Sequence, residues 1–511
     1  MLRFHGDFDM KFLENVIKVV APETALRREK ARMRLKAMFE ARNMYDGASI
    51  GRRTAGWRRV STDANSETAF GTLARLRDSA RDLVRNNEFA ESGIDGIATY
   101  TVGAGIVPHF KGPTEQITET LERLAIAHFD STDIDAQQQH DLYGLQSQVM
   151  RTVAESGECL VRRRRRRLSD GLALPFAIQV LEPDFLDATK DGDAGNGNVV
   201  VQGVEFDSLG RRVAYWLFDE HPGSRSSYRL PTSRRVPARD IAHIYRQSRP
   251  GQVRGVTWLA STMVRLNDFG DYEDAQLMRQ KIAACFAAFV TDIEGVSAGD
   301  GGHLTAVGGD TSNYRENLEP GLIETLPPGR DIRFGDPPGV DGYGEYSSRQ
   351  LHAVAAGLKV PYELLTGDYS NVNYSSARMA WQNFYKKVNV WQKQIMIPQF
   401  CRAVERWFLE AAAVSNGTGG SIKAIWTPPP PSMVDPTKEI AAQRDDIRSG
   451  TKTLSDAVRE RGKDPKEHFA ELQSDMALLD ELGLTLDCDP RRVSRTGTMQ
   501  RDQVASEPQE T

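Results

Sequence analysis

The sequence predicts an α+β protein built from several parts, and three observations carry that reading. Apolar residues recur at three- and four-residue steps from residue 73 to 97 and again from 381 to 408, the mark of helices with one buried face. Short β-branched or aromatic runs, separated by Gly-, Asp- and Pro-rich turns, occupy residues 158–245. A Gly- and Pro-rich insertion then stands between two further helical stretches. At 511 residues the chain exceeds one ordinary core, so two to four domains or subdomains are expected.

Composition narrows the class. With 40% hydrophobic and 26% charged residues the chain reads as globular rather than disordered. A net charge of −5 argues against a protein that grips DNA through many phosphates. Four scattered cysteines (Cys159, Cys285, Cys401, Cys488) give no disulfide or metal framework. The longest near-continuous apolar run, 282–290, is far short of the roughly 18 residues of a membrane span, and no signal peptide is evident. A soluble, intracellular protein is expected.

Residues 1–69 read as an arm. Its basic, helix-prone stretch 26–42 and the Arg-, Gly- and Trp57-containing stretch 51–59 suit contact with nucleic acid or an acidic partner, or packing on a neighbouring subunit. From Thr72 one long helix is expected, with Leu73, Leu76, Ala80, Leu83, Ala90, Ile94 and Ile97 on one face. A strand at 106–110 and helices at 115–129 and 142–156 follow. Strands are expected at 158–168, 174–181, 198–206, 213–218 and 241–245, making 70–256 a mixed α+β domain. Another helix starts at Thr257 and runs to about residue 288. Strands at 288–293, 322–326 and 332–334 mark 287–343 as a β-rich insertion, and the next helix, 346–358, starts directly after it.

The most informative stretch is 348–408. Gly357 and Pro361 read as a helix stop, followed by a loop, 366–374, rich in Asp, Asn, Ser and Tyr. Ser375 or Ser376 is the expected cap of the next helix. That helix carries Trp381, Phe384, Tyr385, Val388, Trp391 and Ile395 as its apolar stripe, bends at Pro398, and resumes with Val404, Trp407 and Phe408. No Lys or Arg stands between Lys359 and Arg378, in a chain with 65 of them. A strand at 422–426 and a four-proline stop lead to short helices, with Asp435, Ser455 and Asp464 as expected caps and Gly450, Gly462 and Gly483 as stops. From Asp489 the chain loses hydrophobic content and reads as disordered.

Searches for chemistry return little. The Gly-x-Ser-x-Gly match at Ser49 lacks the preceding strand of a nucleophile elbow. Residues 191–196 resemble a calcium loop, but Gln202 stands where the closing carboxylate belongs, which favours a tight loop between strands. No phosphate-binding glycine loop ends in Lys-Ser/Thr. His140, His221, His243, His303 and His352 stand alone, without paired carboxylate spacing. No catalytic residue, metal site or cofactor is expected. The run Arg162, Arg163, Arg164, Arg165, Arg166 and Arg167 would put three guanidinium groups on each face of a strand. A phosphate or acidic-partner contact is one reading; a charged outer strand pairing with acidic residues of a neighbouring subunit is favoured.

Several stretches together resemble the lambda-like family of bacteriophage portal proteins. They are 81–87, Gly255-Val256-Thr257-Trp258-Leu259, Tyr346 through 355–365 to Tyr374-Ser375-Ser376-Ala377-Arg378, and 453–469. Their order and spacing, spread over about 70–485, carry the likeness; no single motif does. The resemblance implies a multi-domain portal fold (wing, stem, clip and crown) with long helices, assembled as a homo-oligomeric ring, dodecameric in the virion. It implies an arm at 1–69, wing 70–256, first stem helix 257–286, clip 287–343 and second stem helix 344–365. A tunnel loop at 366–375 follows, then the long helix and wing return 376–434, crown 435–488 and tail 489–511.

The implied function is a channel at one capsid vertex through which double-stranded DNA passes non-specifically during packaging and ejection. Implied partners are the terminase large subunit, the major capsid protein and the neck or head-completion proteins, with no membrane. The implied location is the virion, with assembly in the host cytoplasm or encoding in a prophage. The residues then take roles: Asp368, Tyr369, Asn371, Asn373 and Tyr374 face the channel, and Gly357, Pro361 and Gly367 form the hinge between stem and loop. A non-portal head-assembly scaffold or adaptor is the alternative, and a DNA-processing enzyme a weaker one.

Overall fold

The computed structural model describes residues 23, 27–34, 52, 56, 61–69, 71–224, 232–284, 288–292, 330–334, 342–417, 422–430, 436–461 and 465–484. The chain divides into two units, Met1–Asp63 and Ala64–Thr511. In the first, residues 27–34 are helical; Ser49 and Trp57 lie outside the described residues. The boundary between the units falls six residues before the expected end of the arm, so residues 64–69 are part of the second unit. There the side chain of Asn65 in the helical turn Ala64–Glu67 donates to the Gly251 carbonyl (3.0 Å) and accepts from Val253 N–H (2.9 Å).

The long helix expected from Thr72 is two helices, α1 (Thr72–Asn86) and α2 (Glu88–Val102). Asn87 between them is extended, and its side chain accepts from Ala90 N–H at 3.0 Å. Asparagine favours that capping geometry over the helix interior. The apolar spacing continues across the break because both helices bury their stripes in one core. Strand β1 (Val107–Lys111) and helices α3 (Glu115–Phe129) and α4 (Leu142–Ser156) follow as expected, the two helices capped by Thr114 and Asp141.

The strand-rich part holds β2 (Glu158–Arg165), β3 (Phe176–Leu181), β4 (Gly192–Asp193), β5 (Val199–Val201), β6 (Val204–Phe206), β7 (Arg212–Phe218), β8 (Ser233–Pro237) and β9 (Ile241–Tyr245). They form two antiparallel sheets, ordered β3-β2-β9 and β4-β5-β6-β7-β8. The single strand expected at 198–206 is a hairpin. Gln202 (φ 49°) and Gly203 (φ 86°) turn the chain with the left-handed pair of angles that suits twisted strands. Strand β8 escaped notice because Ser-Arg-Arg-Val-Pro has the polarity of a loop.

Thr257 caps a short 3-10 turn, Trp258–Ser261, before helix α5 (Met263–Ala284). Beyond it β10 (Ala288–Asp292) pairs antiparallel with β11 (Arg330–Phe334); the strand expected at 322–326 lies outside the described residues. Helix α6 (Tyr343–Leu358) returns antiparallel to α5. Tyr272 lies 4.7 Å from Tyr346 between ring centroids, Tyr343 donates to Glu273 (3.1 Å), and Arg265 bonds Gln350.

After the short helix α7 (Tyr362–Thr366), α8 (Tyr374–Trp391), a π-helical stretch (Gln392–Cys401) containing Pro398, and α9 (Arg402–Asn416) form a continuous helical path. The wider π turns absorb the proline, which has no N–H to give the ladder. Strand β12 (Lys423–Thr427) pairs with β1, and Phe408 on α9 stacks on Phe110 at 4.8 Å. Helices α10 (Pro436–Arg448), α11 (Leu454–Glu460) and α12 (Pro465–Glu481) end the described chain. The cap of α11 is Thr453, not Ser455: its hydroxyl accepts from Asp456 N–H at 3.0 Å. Asp435, Asp464 and Gly462 lie outside the described residues. No helix among the described residues is long and apolar enough to cross a membrane.

Candidate functional site

The loop between α7 and α8 is built from both sides. Helix α6 does not stop at Gly357. It ends at Lys359, which adopts the left-handed conformation (φ 66°) and directs its N–H at the Ala355 and Ala356 carbonyls. Gly357 lies inside the helix, where a Cβ would fall 2.2 Å from Thr262 Cγ2; its role is close approach of α6 to the chain before α5. Pro361 starts α7, and Gly367 (φ 69°) ends it by donating to the Glu363 carbonyl at 2.9 Å. Leu365 is buried, and Leu364 packs where a Cβ on Gly96 of α2 would lie 2.9 Å away. Ser92 of α2 donates to the Leu364 carbonyl at 3.0 Å. The loop thus leaves a firmly seated turn of helix.

Within the loop Asp368, Tyr369, Asn371, Asn373 and Tyr374 are all exposed. Ser370 hydrogen bonds hold the Asp368 carboxyl below its ordinary range, so the loop presents a negative charge. Asn373 caps α8, its side chain accepting from Ser376 N–H at 2.9 Å; Ser375 and Ser376, the expected caps, lie in the first turn. The expected stripe behind the loop forms. Phe384, Val388, Trp391 and Ile395 are buried, while Trp381 and Tyr385 are partly buried against Tyr100 (ring centroids 5.2 and 6.2 Å away). Gln392 donates to the Thr101 carbonyl at 2.9 Å.

The fold adds one cation to the loop's end. Lys438 of α10 lies 5.4 Å from the centroid of Tyr374, from 64 positions away. Nothing in the local sequence signals it.

The arginine run falls on a different kind of strand from the one expected. Strand β2 is the centre of its sheet, not an outer strand, and Arg166 and Arg167 lie beyond its end. Arg163 is buried and pairs inside its own chain with Asp240 (2.7 Å) and Glu410, and Arg165 joins Asp240 at 3.3 Å. Arg162 and Arg164 project to the opposite face.

The histidines are not all isolated. His243 lies 2.9 Å from Glu158, which also binds Arg254 (2.5 Å) and accepts from Gly255 N–H (2.8 Å), deep between β2, β9 and the chain that leads to α5. Burial alone would raise the Glu158 carboxyl, but Arg254 and His243 outweigh it and hold the group well below the carboxylate range. Burial pushes His243 down, so it is neutral and donates to an ionised Glu158. Partners 85 and 96 positions apart escape any reading of spacing.

A second convergence, Glu182, Asp184 and His221, brings three potential metal donors within 4.8 Å of one another. Arg77 (3.0 Å from Asp184) and Arg81 (2.7 and 3.1 Å from Asp184 and Glu182) already neutralise both carboxylates. The cluster is an ion-pair network tying α1 to the turn after β3, poorly suited to a cation.

Comparison with known proteins gives the family. Residues 50–392 match the family described as phage portal protein, lambda family. The chain is 26% identical to the "Probable portal protein" of Halomonas phage phiHAP-1 over 65% of each chain. It is 23% identical to the portal protein of Escherichia phage N15, over 83% of this chain and 88% of that one. Portal protein B of Escherichia phage lambda is 22% identical, over 83% of this chain and 87% of its own. Among solved structures, a chain from the neck of a native gene transfer agent particle, computed with C12 symmetry, is similar with a TM-score of 0.43. It is 15% identical, over 74% of this chain and 92% of that one. The chain belongs to the lambda family of phage portal proteins.

Proposed function

We propose that the chain assembles as a closed ring, dodecameric in the virion, at one vertex of a phage capsid, and that double-stranded DNA passes through it in packaging and ejection. The observation that carries the mechanism is the loop after Gly367: exposed, without Lys or Arg, and seated on α2 and an aromatic-backed helix. A conduit must surround DNA without holding it. Each phosphate neutralised by a basic side chain adds salt-dependent affinity, and ring symmetry multiplies every such contact. Asp368 repels phosphate, while Tyr369, Asn371, Asn373 and Tyr374 offer brief polar and van der Waals contact. Lys438, set against Tyr374, is a cation the fold brings to that surface from a distant part of the chain.

In this reading α5 and α6 are the stem, 287–343 the clip that docks the terminase large subunit, 70–256 most of the wing facing the major capsid protein, and 435–488 the crown. Neck or head-completion proteins bind once packaging ends. Nothing in this mechanism uses a cofactor, a metal or catalysis. Site-specific crosslinking from position 371 in filled heads tests the loop: adducts to DNA are expected there. Adducts only from positions in the strand-rich part would overturn the assignment.

A further inference from the structure

The arginines of β2 differ in how far their own chain pairs them. Arg162, Arg164 and, just past the strand's end, Arg166 make no ion pair among the described residues, while Arg163 and Arg165 pair with Asp240 and Glu410. A hollow of about 370 Å³ is lined by residues 162–166 together with Arg235, Val236, Pro237 and Asp240. Arg235 is taken by Glu205 at 2.8 Å, and Arg234 by Asp219 at 2.7 Å. Crowding of like charges is visible at Arg162, whose guanidinium is depressed first by burial and next by Arg164, with Asp219 and Asp240 offsetting part of the effect. Arginines lining one hollow favour the approach of carboxylates, which guanidinium groups bind in bidentate geometry.

The matching carboxylates stand on the far edge of the neighbouring sheet. Strand β8, which contributes Arg235 to Pro237 to the hollow, is one edge of the five-stranded sheet, and β4 is the other. Beside and on β4, Asp191 and Asp193 are exposed and form no ion pair among the described residues. Four interstrand spacings, about 19 Å, separate the two edges of that sheet. Opposite charges on opposite edges are what a head-to-tail contact between identical subunits requires; such a contact closes into a ring when its rotation allows.

We propose that the Asp191/Asp193 hairpin of one subunit docks on the Arg162/Arg164 face of the next copy, forming a charge-complementary contact between subunits. This rests on the ring reading above and names surfaces that reading leaves open. The test is a charge swap in the full-length chain, with ring content at about 0.15 M salt read by mass photometry and negative-stain microscopy. R162E/R164E and D191R/D193R are each expected to lower ring content about tenfold or more, because each faces like charge with like. Combined in one chain, the four substitutions should restore rings.

Rings undiminished in either double variant, or a fourfold variant no better than its parents, would overturn the proposal. So would R162E/R164E rings that form normally but lose DNA binding on a filter, which would assign the face to phosphate. Unchanged circular dichroism of R162Q/R164Q separates the contact from a folding defect. If the unaltered chain formed no rings, the ring reading itself would fail instead.

Discussion

Replacing Glu158 by alanine removes a carboxylate that three residues share through four nitrogens: Arg254 through Nε and Nη2 (2.8 and 2.5 Å), Gly255 N–H (2.8 Å) and His243 Nε2 (2.9 Å). Arg254 is 2% exposed, so the substitution strands its charge inside the protein. Breaking a buried pair in this way costs about 3–5 kcal/mol, most of it the unpaired charge rather than the lost attraction. At about 1.4 kcal/mol per tenfold, hydrogen-exchange protection of β2 and β9 should fall by about a hundredfold to several thousandfold. Mass-spectrometric exchange on the full chain reads this directly at peptides covering the two strands. Replacing both partners, as E158L/R254M, should recover much of the loss.

The pH dependence has a definite sign. A carboxyl held below its unfolded value contributes stability above that unfolded value and loses it as pH falls towards the folded one. The share of β2 protection that Glu158 supplies, read as the difference between wild type and E158A, should therefore be flat from neutrality to about pH 5 and decline only below the ordinary carboxylate range. A drop of less than about tenfold in E158A would refute the view that this network fixes the strand-rich part to the start of α5.

Three further outcomes follow from the same geometry. His128 is buried against Phe176 (4.7 Å between centroids), and burial pushes its pKa down to about 4 from 6.5. The unfolded chain therefore binds the extra proton first, and about 3 kcal/mol of stability should disappear as pH falls from 6.5 to 4; in urea titrations H128F should flatten that slope. At Gly255 a Cβ would lie 2.2 Å from the Gly157 carbonyl oxygen, backbone against backbone, so G255A should cost about 3 kcal/mol or more and sharply reduce soluble full-length chain. In the loop, N371K should slow DNA exit from filled heads at low salt and leave it normal at high salt. Each phosphate contact adds a slope of about −0.9 in log affinity against log salt, and equal rates at all salt concentrations would count against a channel-facing loop.

The sequence by itself determined the elements whose signals are local. Apolar spacing placed α3 and α4 and the stripe from Trp381 to Phe408, because one helical face must be buried wherever the helix goes. The helices α5 and α6 and the strands beside them, β10 and β11, were legible from periodicity, glycine and proline; that the two helices run antiparallel was not. Errors came where two local preferences competed. Asn87 split an expected helix because its cap outweighed continuity of the stripe. Lys359 rather than Gly357 ended α6 because the glycine was needed for contact with Thr262.

Only the tertiary structure decided which distant groups met. It put β2 at the centre of its sheet and gave Arg163 to Asp240 and Glu410, leaving Arg162 and Arg164 without an ion pair among the described residues. It brought His243 and Arg254 to Glu158, and Lys438 to the edge of a loop whose own sequence has no cation. Periodicity reports the environment an element needs, while pairing across 85 or 96 residues depends on how sheets and helices are stacked. Electrostatics acts through space, and so the counter-charge of each candidate site became visible only once the chain was folded.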